Sequence, residues 1–126
     1  IGIDLLEIKK QSEFSPKIEI IEDDFNNIED YHMDKFDLVL SDMAPEFSGD
    51  SVADRGRCHK LNVLTIEFCE RHLKPHGRLV FKTFGGEDLE WVRSKAKKLF
   101  KEIKEYKPTS SQGKSAELFI FCENKL

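Results

Sequence analysis

The chain has 126 residues, of which 39% are hydrophobic and 35% charged, so it is long enough for one globular domain with a heavily charged surface. No apolar run approaches the length of a membrane span and no signal peptide is visible, which argues against membrane and secreted classes. The three cysteines lie far apart without zinc-ligand spacing, which favours reduced thiols in a cytosolic protein without a bound metal.

The net charge of −4 conceals an uneven distribution along the chain. Residues 1–54 carry 4 Lys and Arg against 15 Asp and Glu, whereas residues 55–126 carry 16 against 9. The basic second half could attract phosphate groups. The lysine run at 95–107 is equally compatible with RNA contact and with a solvated helix face.

Apolar periodicity predicts strands that alternate with helices. The predicted strands are residues 1–6, 17–21, 36–40, 78–84, 102–107 and 116–122, and the predicted helices are 57–73 and 87–100. Residues 43–56 are predicted to be a loop, because they are rich in Pro, Gly, Ser and Asp, and residues 74–77 a turn. This order favours an α/β sheet that is parallel except near its end, where the last two strands pair antiparallel.

Three acidic residues, Asp4, Asp24 and Asp42, come at the ends of predicted strands. Ligands of such sheets bind outside the carboxyl ends of the strands, so all three are expected at one edge. Asp4 could accept hydrogen bonds from both hydroxyls of a ribose, or it could be an ordinary helix N-cap. Asp24 could accept from an adenine amine while Phe25 packs on the base, although a core Phe beside a solvated acid pair fits the same residues.

Three charged residues stand in short apolar segments. Asp42 precedes Pro45, which restricts Ala44 to extended backbone, so its carboxylate would lie beside a confined loop; a turn-initiating Asp is the alternative. Lys82 lies among apolar residues of a predicted strand, where Lys is rarely buried unless it is paired, or it could face solvent. Glu117 also lies in an apolar strand, and it could pair with Lys82 if the two strands are neighbours, or face outward.

In their order and spacing, the segments Ser41–Pro45, Leu79–Gly85 and Ser115–Phe119 resemble the FtsJ/RrmJ family of ribosomal RNA ribose 2′-O-methyltransferases. The resemblance runs from Gly2 to Phe121. It implies a Rossmann-like methyltransferase sheet, mostly parallel with a closing antiparallel strand, in a single catalytic domain over residues 1–126. The family's first catalytic Lys, first strand and first Gly-rich loop would precede Ile1, so the resemblance implies that the N-terminal part is missing.

The resemblance also implies S-adenosylmethionine as cofactor and assigns the site residues. The cofactor-binding residues would be Asp4, Leu5, Asp24, Phe25 and Asp42, with Asp4 on the ribose and Asp24 and Phe25 on the adenine. The catalytic residues would be Asp42, Lys82 and Glu117, with Glu117 fixing the position and charge of Lys82. A Lys can accept the proton of a ribose hydroxyl or polarise its oxygen, and no metal is required.

The leading prediction is a monomeric, cytoplasmic RNA ribose 2′-O-methyltransferase that acts on a uridine of large-subunit ribosomal RNA; a mitochondrial location stays open. Two places depart from the family: Glu46 and Phe47 replace Asn and a small or apolar residue, and Gln112 stands where an Arg would suit a phosphate contact. The alternatives are a non-catalytic RNA-binding fragment or pseudoenzyme of the same fold, a tRNA or cap 2′-O-methyltransferase, and a methyltransferase of small molecules or proteins.

Overall fold

The computed structural model describes residues 2–4, 20–22, 24–31, 33–86, 88–108 and 117–126. It divides into two compact units, Ile1–Met33 and Asp34–Leu126. In the first unit, β1 (Gly2–Asp4) pairs in parallel with β2 (Ile20–Glu22). A 3₁₀ helix, Phe25–Asp30, follows β2 and buries Ile28.

The second unit is a four-stranded sheet with two helices. Its strands are β3 (Phe36–Ser41), β4 (Leu73–Phe84), β5 (Phe100–Tyr106) and β6 (Glu117–Lys125), and its helices are α1 (Ser51–His72) and α2 (Asp88–Leu99). The strand order is β3-β4-β6-β5. β3 runs parallel to β4, whereas β6 runs antiparallel to both β4 and β5. The predicted mixed α/β sheet with an antiparallel closing pair is therefore confirmed.

The core of this unit lies on one face of the sheet. Alternate side chains of a strand point to opposite faces, and the buried set on β4 and β6 is Leu79, Phe81, Thr83, Leu118, Ile120 and Cys122. α1 packs on this face, since its Asn62 bonds to Thr83. The opposite face, which carries Lys82, is only half-covered within the described part of the chain.

α1 begins six residues before the position predicted from the spacing of apolar residues. The Asp50 side chain caps it by accepting hydrogen bonds from the backbone N–H groups of Val52 and Ala53. Such a cap satisfies donors that the first turn otherwise leaves without partners. The prediction of a loop over residues 51–56 was therefore wrong, because a local cap outweighs the Gly and Asp content of this segment.

β4 starts directly after α1, and the predicted turn 74–77 forms an irregularity within it. Phe36 of β3 lies opposite Leu73, but Leu38 lies opposite Arg78, so residues 74–77 bulge out of the parallel ladder. His76 in this bulge has a positive φ of 67°. The regular pairing resumes at Arg78, which sets the register of Lys82 relative to β3. None of the described helices is long and apolar enough to cross a membrane.

Candidate active site at the carboxyl ends of β3 and β4

Lys82 forms an ion pair with Asp42. The Lys82 Nζ lies 2.9 Å from Asp42 Oδ1, and the side chains are 13% and 79% exposed, respectively. Ser41 is opposite Phe81 in the parallel ladder, so Asp42, the next residue, comes level with Lys82. The structure thus places the ammonium group at the end of β4 with a carboxylate from the neighbouring strand end as its partner.

Glu117 shares the sheet face of Lys82 but lies diagonal to it. In the antiparallel pair of β4 and β6, Lys82 is opposite Phe119 and Phe84 is opposite Glu117. Diagonal neighbours in such a pair are about 7–8 Å apart. Among the described residues, the ion pair of Lys82 is with Asp42 and none involves Glu117. The three predicted catalytic residues therefore lie on one face, while their roles stay predictions.

The segment after Asp42 is tied to the first turns of α1. The Asp54 carboxylate accepts hydrogen bonds from the backbone N–H and the hydroxyl of Ser48 and from the N–H of Gly49. The N–H of Ser48 is the largest cause of a lowered Asp54 pKa, since these bonds favour the charged carboxylate. Arg57 Nη1 also donates to Glu46 O and Ser48 Oγ. These contacts fix the backbone that connects the candidate site to α1.

A chain of polar side chains that runs from the buried Thr83 and Asn62 to the surface holds the end of β4. Thr83 Oγ1 donates to Asn62 Oδ1 at 3.1 Å, and Asn62 Nδ2 donates to Asp88 Oδ2 at 2.6 Å. The other oxygen of Asp88 contacts His59 Nδ1. Sequence reasoning missed these residues, although Asn62 is a polar residue between the apolar Leu61 and Val63 and so carried a signal. The network fastens the residue next to Lys82 to both helices.

The predicted cofactor residues fall mostly in the first unit. Asp4 is the last residue of β1, Asp24 comes shortly after β2, and Phe25 begins the 3₁₀ helix. Leu5 lies outside the described residues, as does Gln112. Asp42 belongs to the second unit, so a common cofactor site stays a prediction. In the described part of the chain, no group of three or more His, Cys, Asp or Glu residues could hold a metal ion.

Solved structures identify the class of fold. A protein from Plasmodium falciparum described as a ribosomal RNA methyltransferase is 21% identical and superimposes with a TM-score of 0.76, covering 99% of this chain and 71% of that one. A protein from Streptococcus mutans described as a methyltransferase and solved in complex with SAH is 18% identical, with a TM-score of 0.56 over 86% of this chain and 61% of that one. The fold is therefore that of α/β methyltransferases.

The particular family follows from the sequence comparison. The FtsJ-like methyltransferase family model matches residues 1–125, and the chain belongs to this family, as the resemblance predicted. Two curated relatives are each named ribosomal RNA large subunit methyltransferase E. That of Herminiimonas arsenicoxydans is 37% identical over 127 residues, 95% of this chain and 58% of that protein. That of Polynucleobacter asymbioticus is 43% identical over 90 residues, 71% of this chain and 40% of that protein. The chain thus spans about half the length of these relatives.

Proposed function

We propose that the chain belongs to the catalytic domain of an S-adenosylmethionine-dependent RNA ribose 2′-O-methyltransferase, and that its substrate is a uridine of large-subunit ribosomal RNA. The observation that carries the proposal is the Lys82–Asp42 ion pair at the carboxyl ends of β4 and β3. Membership of the FtsJ-like family supports it, as do the names of the curated relatives. The proposal includes a monomeric state and a cytoplasmic location.

The two acids that are predicted to bind the cofactor belong to one end of a parallel strand pair. Asp4 ends β1 and Asp24 follows the parallel strand β2, so two carboxylate-bearing residues follow the same end of this strand pair. Carboxylates can accept hydrogen bonds from ribose hydroxyls and from an adenine amine. When bound, S-adenosylmethionine would supply the methyl group as an activated electrophile. The family match spans both units, which supports one domain over residues 1–126.

The protein's own contribution would be to hold the ribose and to move one proton. A ribose 2′-hydroxyl is a poor nucleophile, so its oxygen must be aligned with the methyl group and relieved of its proton. Lys82 Nζ, in its neutral form, would accept that proton as the oxygen–carbon bond forms and the bond from the methyl carbon to sulfur breaks, with S-adenosylhomocysteine as the leaving group. Asp42 Oδ1, 2.9 Å from Nζ, would then stabilise and orient the resulting ammonium group.

Methyl transfer to large ribosomal subunits tests this proposal, with S-adenosylhomocysteine binding measured by calorimetry on the same samples. We expect Lys82→Ala to abolish transfer while binding of S-adenosylhomocysteine persists, and Asp4→Ala with Asp24→Ala to abolish both. Lys74→Ala is the matched control, because Lys74 lies in the same strand and its ion pair within the described part of the chain is an exposed one with Asp37. Unchanged transfer by Lys82→Ala would refute the assignment, and RNA binding without transfer would indicate a non-catalytic RNA-binding protein.

A further inference from the structure

Phe47 is an exposed aromatic residue beside the candidate site. Its side chain is 54% exposed, yet its ring packs edge-on against Phe84, with ring centroids 5.2 Å apart. Phe84 lies two residues after Lys82 in β4, so both side chains are on the same face of the sheet. The two rings therefore form an aromatic surface next to the Lys82–Asp42 pair.

The backbone on both sides of Phe47 is held in place. Arg57 Nη1 donates to Glu46 O at 3.4 Å and to Ser48 Oγ at 3.2 Å. Ser48 in turn donates its N–H to Asp54 Oδ1 at 2.8 Å. A ring fixed in advance loses little conformational freedom when it binds a partner. The exposed part of the Phe47 ring, beside the candidate site, is therefore available to an external ligand.

The charges around Phe47 indicate the chemical class of that ligand. The side chain of Arg57 is 48% exposed, and its hydrogen bonds to described residues all use Nη1. Its Nε and Nη2 groups can therefore donate to a phosphate oxygen outside the protein. Arg57 Nη1 also pairs with Asp54 at 3.1 Å, so the remaining donors of the guanidinium group are the ones that could reach a phosphate. An exposed aromatic ring beside such donors suits a nucleotide, which combines an aromatic base with an anionic backbone, better than an apolar protein segment.

We propose that Phe47, supported by Phe84, is a stacking platform for an unpaired base of the RNA substrate, and that Arg57 contacts an adjoining phosphate. The inference rests on the proposed function, because it assigns the RNA side of the same site. Unpaired RNA bases stack on aromatic side chains, and each such contact contributes about 1–3 kcal/mol. Phe47 would thus help to present the target ribose to Lys82.

Fluorescence titration with a short single-stranded oligoribonucleotide that contains 2-aminopurine tests this proposal, because stacking on an aromatic ring quenches the probe. We expect Phe47→Ala to weaken binding about 5- to 150-fold and to lose quenching, and Phe47→Trp to retain both. Val52→Ala is the matched control, since Val52 is an apolar residue, 69% exposed, at the start of α1. It should leave RNA binding unchanged, and S-adenosylhomocysteine affinity should be the same in all four proteins.

Several results would overturn the stacking platform. They are an absence of RNA binding by the unaltered chain, equal affinity of Phe47→Ala and the unaltered chain, and a Phe47→Ala variant that loses S-adenosylhomocysteine affinity or thermal stability instead. Failure of one proposal can be told apart from failure of the other. RNA binding that depends on Phe47, without any methyl transfer, would refute the proposed function and leave the stacking platform standing. Methyl transfer by Phe47→Ala with an unchanged KM for RNA would refute the stacking platform and leave the proposed function standing.

Discussion

Lys82 and Asp42 form an ion pair whose two members are buried to very different extents. The ammonium side chain is 13% exposed and sits on β4, whereas the carboxylate side chain is 79% exposed and follows β3. A charge that is largely removed from water depends on its partner, while a charge in water does not. The pair is therefore asymmetric in what each member contributes to stability.

This asymmetry predicts opposite consequences for the two single substitutions. Asp42→Ala should lower the free energy of unfolding by about 1–3 kcal/mol, because it leaves a largely buried ammonium group without its partner. Lys82→Met should cost less than about 1 kcal/mol, because it leaves only a solvated carboxylate and fills the same space with an apolar chain. Urea unfolding measures both. A larger loss for Lys82→Met than for Asp42→Ala would contradict this account.

The buried hydroxyl groups of Thr83 and Thr65 allow a matched test of the polar network. Thr83→Val removes the donor to Asn62 Oδ1 and should cost about 1–3 kcal/mol, because a buried acceptor loses its hydrogen bond. Thr65 is also buried, but Thr65→Val should lower the free energy of unfolding by less than about 1 kcal/mol. Its Oγ1 donates to Leu61 O, and this carbonyl oxygen keeps the hydrogen bond that it accepts from the helix backbone. Thermal or urea unfolding of both variants measures these losses. Equal losses would mean that general packing, and not the hydrogen bond to Asn62, accounts for the effect.

The three free cysteines should react at different rates. Burial raises the pKa of the Cys69 and Cys122 thiols to about 12, and it also raises the pKa of the partly exposed Cys58 thiol. Since the thiolate is the reactive form, a disulfide reagent at mildly alkaline pH should modify Cys58 first in the native protein and all three in denaturant. Mass spectrometry of modified peptides identifies the order, and early labelling of Cys122 would refute it.

The same thiols predict how stability changes at alkaline pH. Their pKa is higher in the folded than in the unfolded chain, so the unfolded chain releases protons first as the pH rises. The contribution of these buried, protonated thiols to the free energy of unfolding is therefore complete below the ordinary thiol pKa of 9.0. It is lost progressively between that pH and about 12. The urea midpoint of the unaltered chain should fall as the pH rises across this range, and the midpoint of Cys122→Ser should fall less steeply. A pH-independent midpoint would disprove the linkage.

Two glycines predict opposite effects of the same substitution. Gly56 lies in α1, and a Cβ there would meet nothing within 4 Å, so Gly56→Ala should stabilise the protein by about 0.5–1 kcal/mol. At Gly77 a Cβ would lie 2.7 Å from Leu73 Cγ and 2.8 Å from the Lys74 carbonyl oxygen. Gly77→Ala should therefore destabilise it by about 1–3 kcal/mol. Melting temperatures that shift in the same direction would contradict the assigned geometry.

Local patterns in the sequence were sufficient to predict the type and order of the elements. Strand periodicity, helical spacing and the strand-end acids each depend on residues close together in the chain, and the described second unit has the predicted order of strands and helices. Two boundaries were wrong: β4 begins at Leu73, five residues before its predicted start, and α1 begins six residues before its predicted start. At the start of α1, the Asp50 side chain accepts hydrogen bonds from the first turn of the helix. This cap makes residues 51–56 helical although their composition is typical of a loop.

The sequence by itself determined the family and the candidate residues, because both depend on short ordered segments such as those around Asp42, Lys82 and Glu117. It left open which partner Lys82 takes. Only the tertiary structure decided this, because the parallel register of β3 and β4 brings Asp42 level with Lys82, whereas the antiparallel register of β6 leaves Glu117 on the diagonal. The partnership of Asn62 with Thr83 likewise required the helix to be packed on the sheet, since hydrogen bonds between distant segments depend on their positions in space.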